Sequence, residues 1–247
     1  YRAEQLKNLE IKNPERHTER LMNALQEALR LDRQPRHIEC FDNSNLQGAD
    51  PVASCVVFRD GKPARKEYRH YNVKTVVGAD DFASMREIVF RRYTRLMAEG
   101  AELPDLIVAD GGKAQMGAIR EVLEALGLDI PIAGLAKNDR HRTAELLYGF
   151  PPLLVGIRPT SPLFHFLSHI QEEVHRFAVS FHRQKRSKAF IHSELERIDG
   201  IGRKTIEALL QHFRTVAKVK AAPTEELAAL VGTAKAAKIR AYFHGEE

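Results

Sequence analysis

The sequence predicts an α/β domain, built on a mixed five-stranded sheet flanked by helices and followed by a small all-α unit. Three observations predict it. Short apolar runs bounded by turn residues alternate with stretches of helical periodicity through most of the 247 residues. The first three runs are separated only by turns, which favours antiparallel pairing, whereas the later ones are separated by helices, which favours parallel pairing. Near residues 189–194 the strand signals stop, and short helices joined by a glycine-bearing turn take over.

The elements follow in order. In PERHTERLMNALQEALRL (14–31), Leu21, Leu25 and Leu29 form one helical stripe with Met22 beside it; residues 1–31 read as a helical segment that packs against or joins domains. RHIECFD (36–42) reads as a strand with Ile38, Cys40 and Asp42 on one face. PVASCVVFR (51–59) is a second strand, Asp60-Gly61 a hairpin turn signal, and PARKEYRHYNV (63–73) the returning third strand. DDFASMREIVFRRYTRLM (80–97) is a helix, with Asp80 or Asp81 suited to its N-terminal end. A strand at 105–110, a helix at 113–126 and a strand at 130–136 come next. Residues 137–160 read as irregular, with a hairpin around ELLYGFPPLLVGIRP, and a long helix runs from Pro162 to about Ser187. This alternation supports α/β by itself, and the particular order resembles, by analogy, the arrangement of ribonuclease H-like folds. The expected divisions are 1–31, 32–188 and 189–247.

Composition narrows the class. With 43% apolar residues the chain can bury one large core and a small second one. No apolar run approaches the ~18 residues of a membrane span, and a cytoplasmic setting without a membrane partner is expected. Tyr1 opens a charged stretch with no initiator Met and no secretory signal, so the sequence reads as part of something longer. Cys40 and Cys55 both lie in strand-like apolar runs, which fits buried reduced thiols. Residues 182–247 carry 13 Lys/Arg against 8 Asp/Glu, while the remainder holds 25 of each. The whole positive excess therefore lies in the last quarter, beginning at HRQKRSK (182–188) with Arg183, Lys185 and Arg186. Such a stripe fits a polyanion, nucleic acid first, or a solvated basic face.

Two carboxylates stand out. Asp42 ends the first strand and Asp110 ends the fourth, where ligands gather in sheets of this kind. If the strands are neighbours, the two carboxylates converge and repel unless a cation lies between them, and oxygen ligands suit Mg2+ or Mn2+. The other reading of Asp110 is a cap for the following helix. Gly111 and Gly112 allow close backbone approach to a phosphate and Lys113 adds charge, but the P-loop spacing is missing, which disfavours nucleotide hydrolysis. In IQEEVHRFAVSFHRQKRSK (170–188), His175 and His182 lie seven apart on similar helix faces, and either could bind a metal or transfer a proton.

The end of the chain carries a more specific signal. LERIDGIGRKTIEALLQHF (195–213) places Gly200 and Gly202 in an h-x-G-h-G turn, with Arg203, Lys204 and Thr205 opening the next helix. Backbone N–H groups and a helix N-terminus can then face a phosphate. The pattern resembles the helix-hairpin-helix DNA-binding motif. TEELAALVGTAKAAKIRAYF (224–243) looks like a second copy that keeps only Gly232, so its own phosphate contact is in question.

Taken together, ECFDNSNLQG, VASCVVFRDGKPARKEYRHYNV, DDFASMREIVFRRYTRL, LIVADGGKAQ, EEVHRFAVSFHRQKRSK and the terminal hairpins resemble the C-terminal half of the UvrC family, nuclease subunits of bacterial nucleotide excision repair. The resemblance implies a ribonuclease H-like nuclease with an Asp-Asp-His triad that falls on Asp42, Asp110 and His175, nicking damaged double-stranded DNA on the 5′ side of the lesion with Mg2+ or Mn2+. Asp81 matches a further acidic position, with Asp80 beside it as the alternative. Where many members read Asp-Ile-Ser-His, this chain reads DNSN, so Asn43 and Asn45 alter local hydrogen bonding. The resemblance also implies a UvrB–DNA pre-incision complex as partner, with the docking motif for UvrB and the 3′-nicking domain absent from this sequence. Two further readings compete: a DNA-binding scaffold with a silent ribonuclease H-like domain, and a nuclease of the same fold acting on branched DNA or RNA–DNA hybrids.

Overall fold

The computed structural model describes residues 14–44, 52–74, 80–137 and 143–244, with side chains described except at 44, 137, 143–144 and 182–193. The chain divides after Ser180 into two compact units, a boundary that falls inside one long helix.

The first unit is built on a sheet. Strand β1 (His37–Ser44) pairs antiparallel with β2 (Val52–Arg59), and Asp60 and Gly61 make the turn that follows β2 with positive φ at both residues. The expected third strand is divided. β3 (Lys62–Pro63) pairs with the end of β2, a 3-10 turn at Arg65–Glu67 intervenes, and β4 (Arg69–Asn72) pairs with the beginning of β2. Pro63 has no N–H to continue a ladder, and the turn brings Glu67 to Arg59, 3.0 Å away. Helix α1 (Pro14–Leu29) precedes the sheet. Helix α2 (Asp81–Ala98) leads to β5 (Leu106–Ala109), and α3 (Lys113–Leu126) to β6 (Ile132–Lys137). Both β5 and β6 run parallel to β1, in the order β1-β5-β6. The hairpin expected in the irregular stretch does form, as β7 (Thr143–Tyr148) and β8 (Leu153–Val155), and it extends the sheet. The full order is β3-β2-β1-β5-β6-β7-β8, with β4 also on β2.

Burial follows the sequence pattern. Leu106 to Ala109 are fully buried, as expected of a parallel central strand. Leu21, Met22, Leu25 and Leu29 of α1 join the same core, so α1 is an integral layer of this unit rather than a linker. Cys40 pairs with Val56 and Cys55 with Phe41 in the β1–β2 ladder, which sends the two thiols to opposite faces; both are free and buried.

Helix α4 (Pro162–Glu196) runs past the expected end near Ser187 because neither Gly nor Pro occurs between 163 and 199. The second unit adds α5 (Arg203–Phe213), α6 (Val216–Ala221), α7 (Thr224–Val231) and α8 (Thr233–His244). Its own core holds Leu195, Ile198, Ile206, Leu209, Phe213, Leu227, Ala236 and Ile239. Among the described residues no helix is long and apolar enough to cross a membrane.

Candidate metal centre

The register of two parallel strands makes the site. Phe41 of β1 lies opposite Ala109 of β5, and the Asp110 N–H donates to the Phe41 carbonyl at 2.9 Å. The next residues, Asp42 and Asp110, therefore stand side by side where the β1–β5 pairing stops. Asp42 does not end its strand as expected, because β1 runs on to Ser44 in its ladder with β2. Helix α4 supplies the third group. Asp42, Asp110 and His175 each offer one ligand atom, and these atoms all lie within 4.8 Å of one another. His175 Nδ1 is 3.9 Å from Asp42 Oδ2. Asp42 is buried, whereas the His175 side chain is 60% exposed, so the cluster has a closed floor and an open side.

The residues present fit a divalent cation. Asp42 Oδ2 is buried and accepts no hydrogen bond, a costly state for a carboxylate oxygen that a cation would relieve. Two carboxylates and an imidazole are ligands that hard divalent ions accept. Asp110 is not a helix cap: the N-cap of α3 is Gly112, which makes no side-chain cap bond. Burial, with the charges of Asp110 and Asp42, holds the Cys40 thiol well above its usual range, which makes it an inert neighbour of the cluster.

Sequence reasoning missed Gln171. Its side-chain amide donates to Asp110 Oδ1 at 2.5 Å and to the Leu135 carbonyl of β6 at 3.1 Å, fixing the Asp110 carboxylate from behind. The signal was there, since Gln171 stands four residues before His175 and so on the same helix face. Gly134 was missed too. A Cβ there would lie 2.8 Å from the Gly111 carbonyl and 2.7 Å from Met116 Sδ, so the loop after Asp110 packs directly on the β6 backbone.

The neighbouring acidic pair separates by role. Asp80 caps α2, accepting from the N–H groups of Phe82 and Ala83 at 3.1 and 2.9 Å. Asp81 does not cap. Burial and the charges of Asp80 and Asp42 raise its carboxyl above the usual range, so its field reaches the cluster. The Asn43 side-chain amide donates to the Asp81 carbonyl, tying α2 to β1 at this end; Asn45 lies outside the described residues. Lys113 is exposed at the first position of α3. His182 belongs to α4, but its side chain, like those of Arg183, Lys185 and Arg186, lies outside the described ones. A cleft of about 850 Å³ lined by Asp105, Ile132, Tyr148 and Phe150 lies at the other ends of β5 and β6, away from the cluster.

In the second unit, Gly200 adopts φ +80 and Gly202 is the N-cap of α5. Arg203 and Lys204 are exposed, with Arg203 Nε paired to Glu207 at 3.1 Å, and Thr205 is buried. Gly232, at φ +89, stands before α8 as Gly202 stands before α5.

This fold and site define a ribonuclease H-like domain with a carboxylate–histidine cluster, joined to a tandem helix-hairpin-helix unit. Residues 26–179 match the family model of the UvrC RNase H endonuclease domain, and residues 193–243 that of the SAM-like helix-hairpin-helix tandem. The chain belongs to the UvrC family. It is 56% identical to the UvrABC system protein C of Bacteroides fragilis over 240 residues, which is 97% of this chain and 40% of that protein. It is 49% identical to that of Christiangramia forsetii over 248 residues, 100% of this chain and 41% of that protein. The chain thus spans about two fifths of the length of the curated relatives it matches. The solved structure of Ciona intestinalis endonuclease V in complex with an inosine-containing DNA is similar at 16% identity and a TM-score of 0.32, over 46% of this chain and 56% of that one.

Proposed function

We propose that the chain is a divalent-metal-dependent endodeoxyribonuclease of nucleotide excision repair, making the incision on the 5′ side of a lesion. The observation that carries this reading is the convergence of Asp42, Asp110 and His175 around one point, at the open end of the sheet. Membership of the UvrC family supports the repair context, and implies damaged double-stranded DNA in a UvrB-bound complex as the physiological substrate.

Asp42 and Asp110 would hold Mg2+ or Mn2+, with His175 as the exposed third ligand. A bound divalent cation lowers the pKa of a coordinated water below its bulk value and offsets charge developing on the phosphoryl oxygens. Gln171 keeps Asp110 oriented, and Asp81 adds a further carboxylate to the acidic wall. Lys113, at the start of α3, is available to a phosphate oxygen beside Asp110. Hydrolysis would leave a 3′ hydroxyl and a 5′ phosphate. Gly200, Gly202, Arg203, Lys204 and Thr205, with Gly232 in the second copy and Arg183, Lys185 and Arg186 on α4, would grip the DNA backbone without reading bases. Affinity should then fall with salt, by a log–log slope of roughly −0.9 per phosphate neutralised.

Nicking of lesion-containing duplex in Mg2+ or Mn2+ tests the reading. Asp42→Asn should abolish cleavage while leaving DNA affinity nearly intact; full activity in that variant would remove the metal site from the account.

A further inference from the structure

The second helical hairpin keeps only one glycine of its pattern, and the structure gives its lysines another use. The two copies follow a 30-residue offset. Gly202 corresponds to Gly232, Thr205 to Lys235 and Leu209 to Ile239, each at the same place relative to α5 or α8. Leu209 and Ile239 are both fully buried, which fixes the facing sides of the two helices. Lys235 Nζ donates to Thr205 Oγ1 at 3.0 Å, so the corresponding residues of the two copies meet. Lys238 reaches the other part of the same loop: its Nζ lies 2.6 Å from where a Cβ on Gly200 would stand. A residue with a Cβ at 200 would displace that ammonium.

Two ammonium groups three residues apart on α8 therefore converge on the glycine turn of the first copy. Neither Lys235 nor Lys238 has an ion pair among the described residues, whereas Arg203 is paired with Glu207 and Lys220 with Glu194. Two ammonium groups directed at one turn favour an anion beside that turn. The first copy offers that anion site its backbone N–H groups and the N-terminus of α5. We infer that Lys235 and Lys238 hold the DNA phosphate bound at the Gly200–Thr205 turn, so that the two hairpins form one composite clamp rather than two separate contacts. The ligand is a phosphodiester of the DNA backbone, and the inference rests on the DNA-binding reading above.

Fluorescence anisotropy of a labelled duplex, titrated with the chain over a salt series, tests it. The double variant Lys235→Met, Lys238→Met should weaken binding and flatten the log–log salt slope by roughly 0.9, the share of one phosphate, with its circular dichroism and melting unchanged. Lys235→Arg alone, which keeps the charge, and the exposed Lys218→Met should both leave the slope as in the parent. Combining Lys235→Met with Gly202→Val should cost less than the sum of the two, because both act on one phosphate. A parent-like slope in the double lysine variant, or strict additivity with Gly202→Val, would overturn the clamp and leave the DNA-binding reading standing. A parent chain with no salt-dependent DNA affinity would overturn both.

Discussion

Arg92→Met tests how the core positions the site. Glu39, in β1 three residues before Asp42, is fully buried. Arg92 of α2 reaches it with Nε at 2.6 Å and Nη2 at 2.5 Å, Tyr93 Oη donates to it at 2.9 Å, and His37 Nε2 lies 3.3 Å away. Burial alone would raise the Glu39 carboxyl; the adjacent His37 ring and the hydrogen bonds and charge of Arg92 overcome that and hold it at about 2, below the ordinary 4.5. At 1.36 kcal/mol per unit, that difference corresponds to about 3 kcal/mol of stability. Because the folded value is depressed, the contribution is fully present above pH 4.5 and is lost as pH falls through about 2. Removing the arginine strands a buried carboxylate, and breaking such a pair costs roughly 3–5 kcal/mol. Urea unfolding followed by circular dichroism should show a loss in that range near neutral pH, shrinking as pH falls below 4.5 and Glu39 takes up a proton. Glu39→Gln with Arg92→Met should recover much of it. A single Arg92→Met variant within about 1 kcal/mol of the parent would refute the reasoning.

Other outcomes are expected. Gln171→Leu removes the amide that orients Asp110, and Mn2+ affinity measured by calorimetry should fall roughly 10–100-fold, as for outer-shell partners of metal ligands; parent-like affinity would leave Gln171 a packing residue. Gly134→Ala should cost about 1–3 kcal/mol by overpacking and depress nicking through the displaced loop, both readable in one preparation; an unaltered melting curve would contradict the close approach. Gly202→Ala meets open space at ordinary φ and should melt like the parent yet bind DNA more weakly in a filter-binding assay. Gly200→Ala, at φ +80, should lose both stability and affinity.

Much of this was legible in the sequence because it rests on local patterns. The turn at Asp60-Gly61, the helix over 113–126 and the cap in Asp80-Asp81 each follow from residues close together in the chain. Asp42 and Asp110 were candidates because ligands gather where parallel strands end, although a helix cap suited Asp110 equally. What the sequence hid depends on distant partners. Gln171 matters through a carboxylate 61 residues earlier and a carbonyl 36 residues earlier. Helical spacing left His175 and His182 on similar faces, and only the family resemblance chose His175. The third strand broke because a 3-10 turn joins Glu67 to Arg59, a pairing that alternation alone does not encode. The hairpin over 143–155 joined the sheet through backbone bonds to β6, for which its sequence carries only the turn. α1 entered the main core through the same leucine stripe that equally suited a linker.

The most direct test of the metal centre is anomalous diffraction from Mn2+-soaked crystals of the chain. The account predicts a peak bounded by Asp42, Asp110 and His175, lost in crystals of Asp42→Asn. Manganese bound elsewhere with those three side chains left bare, or a peak that survives the substitution, would contradict it.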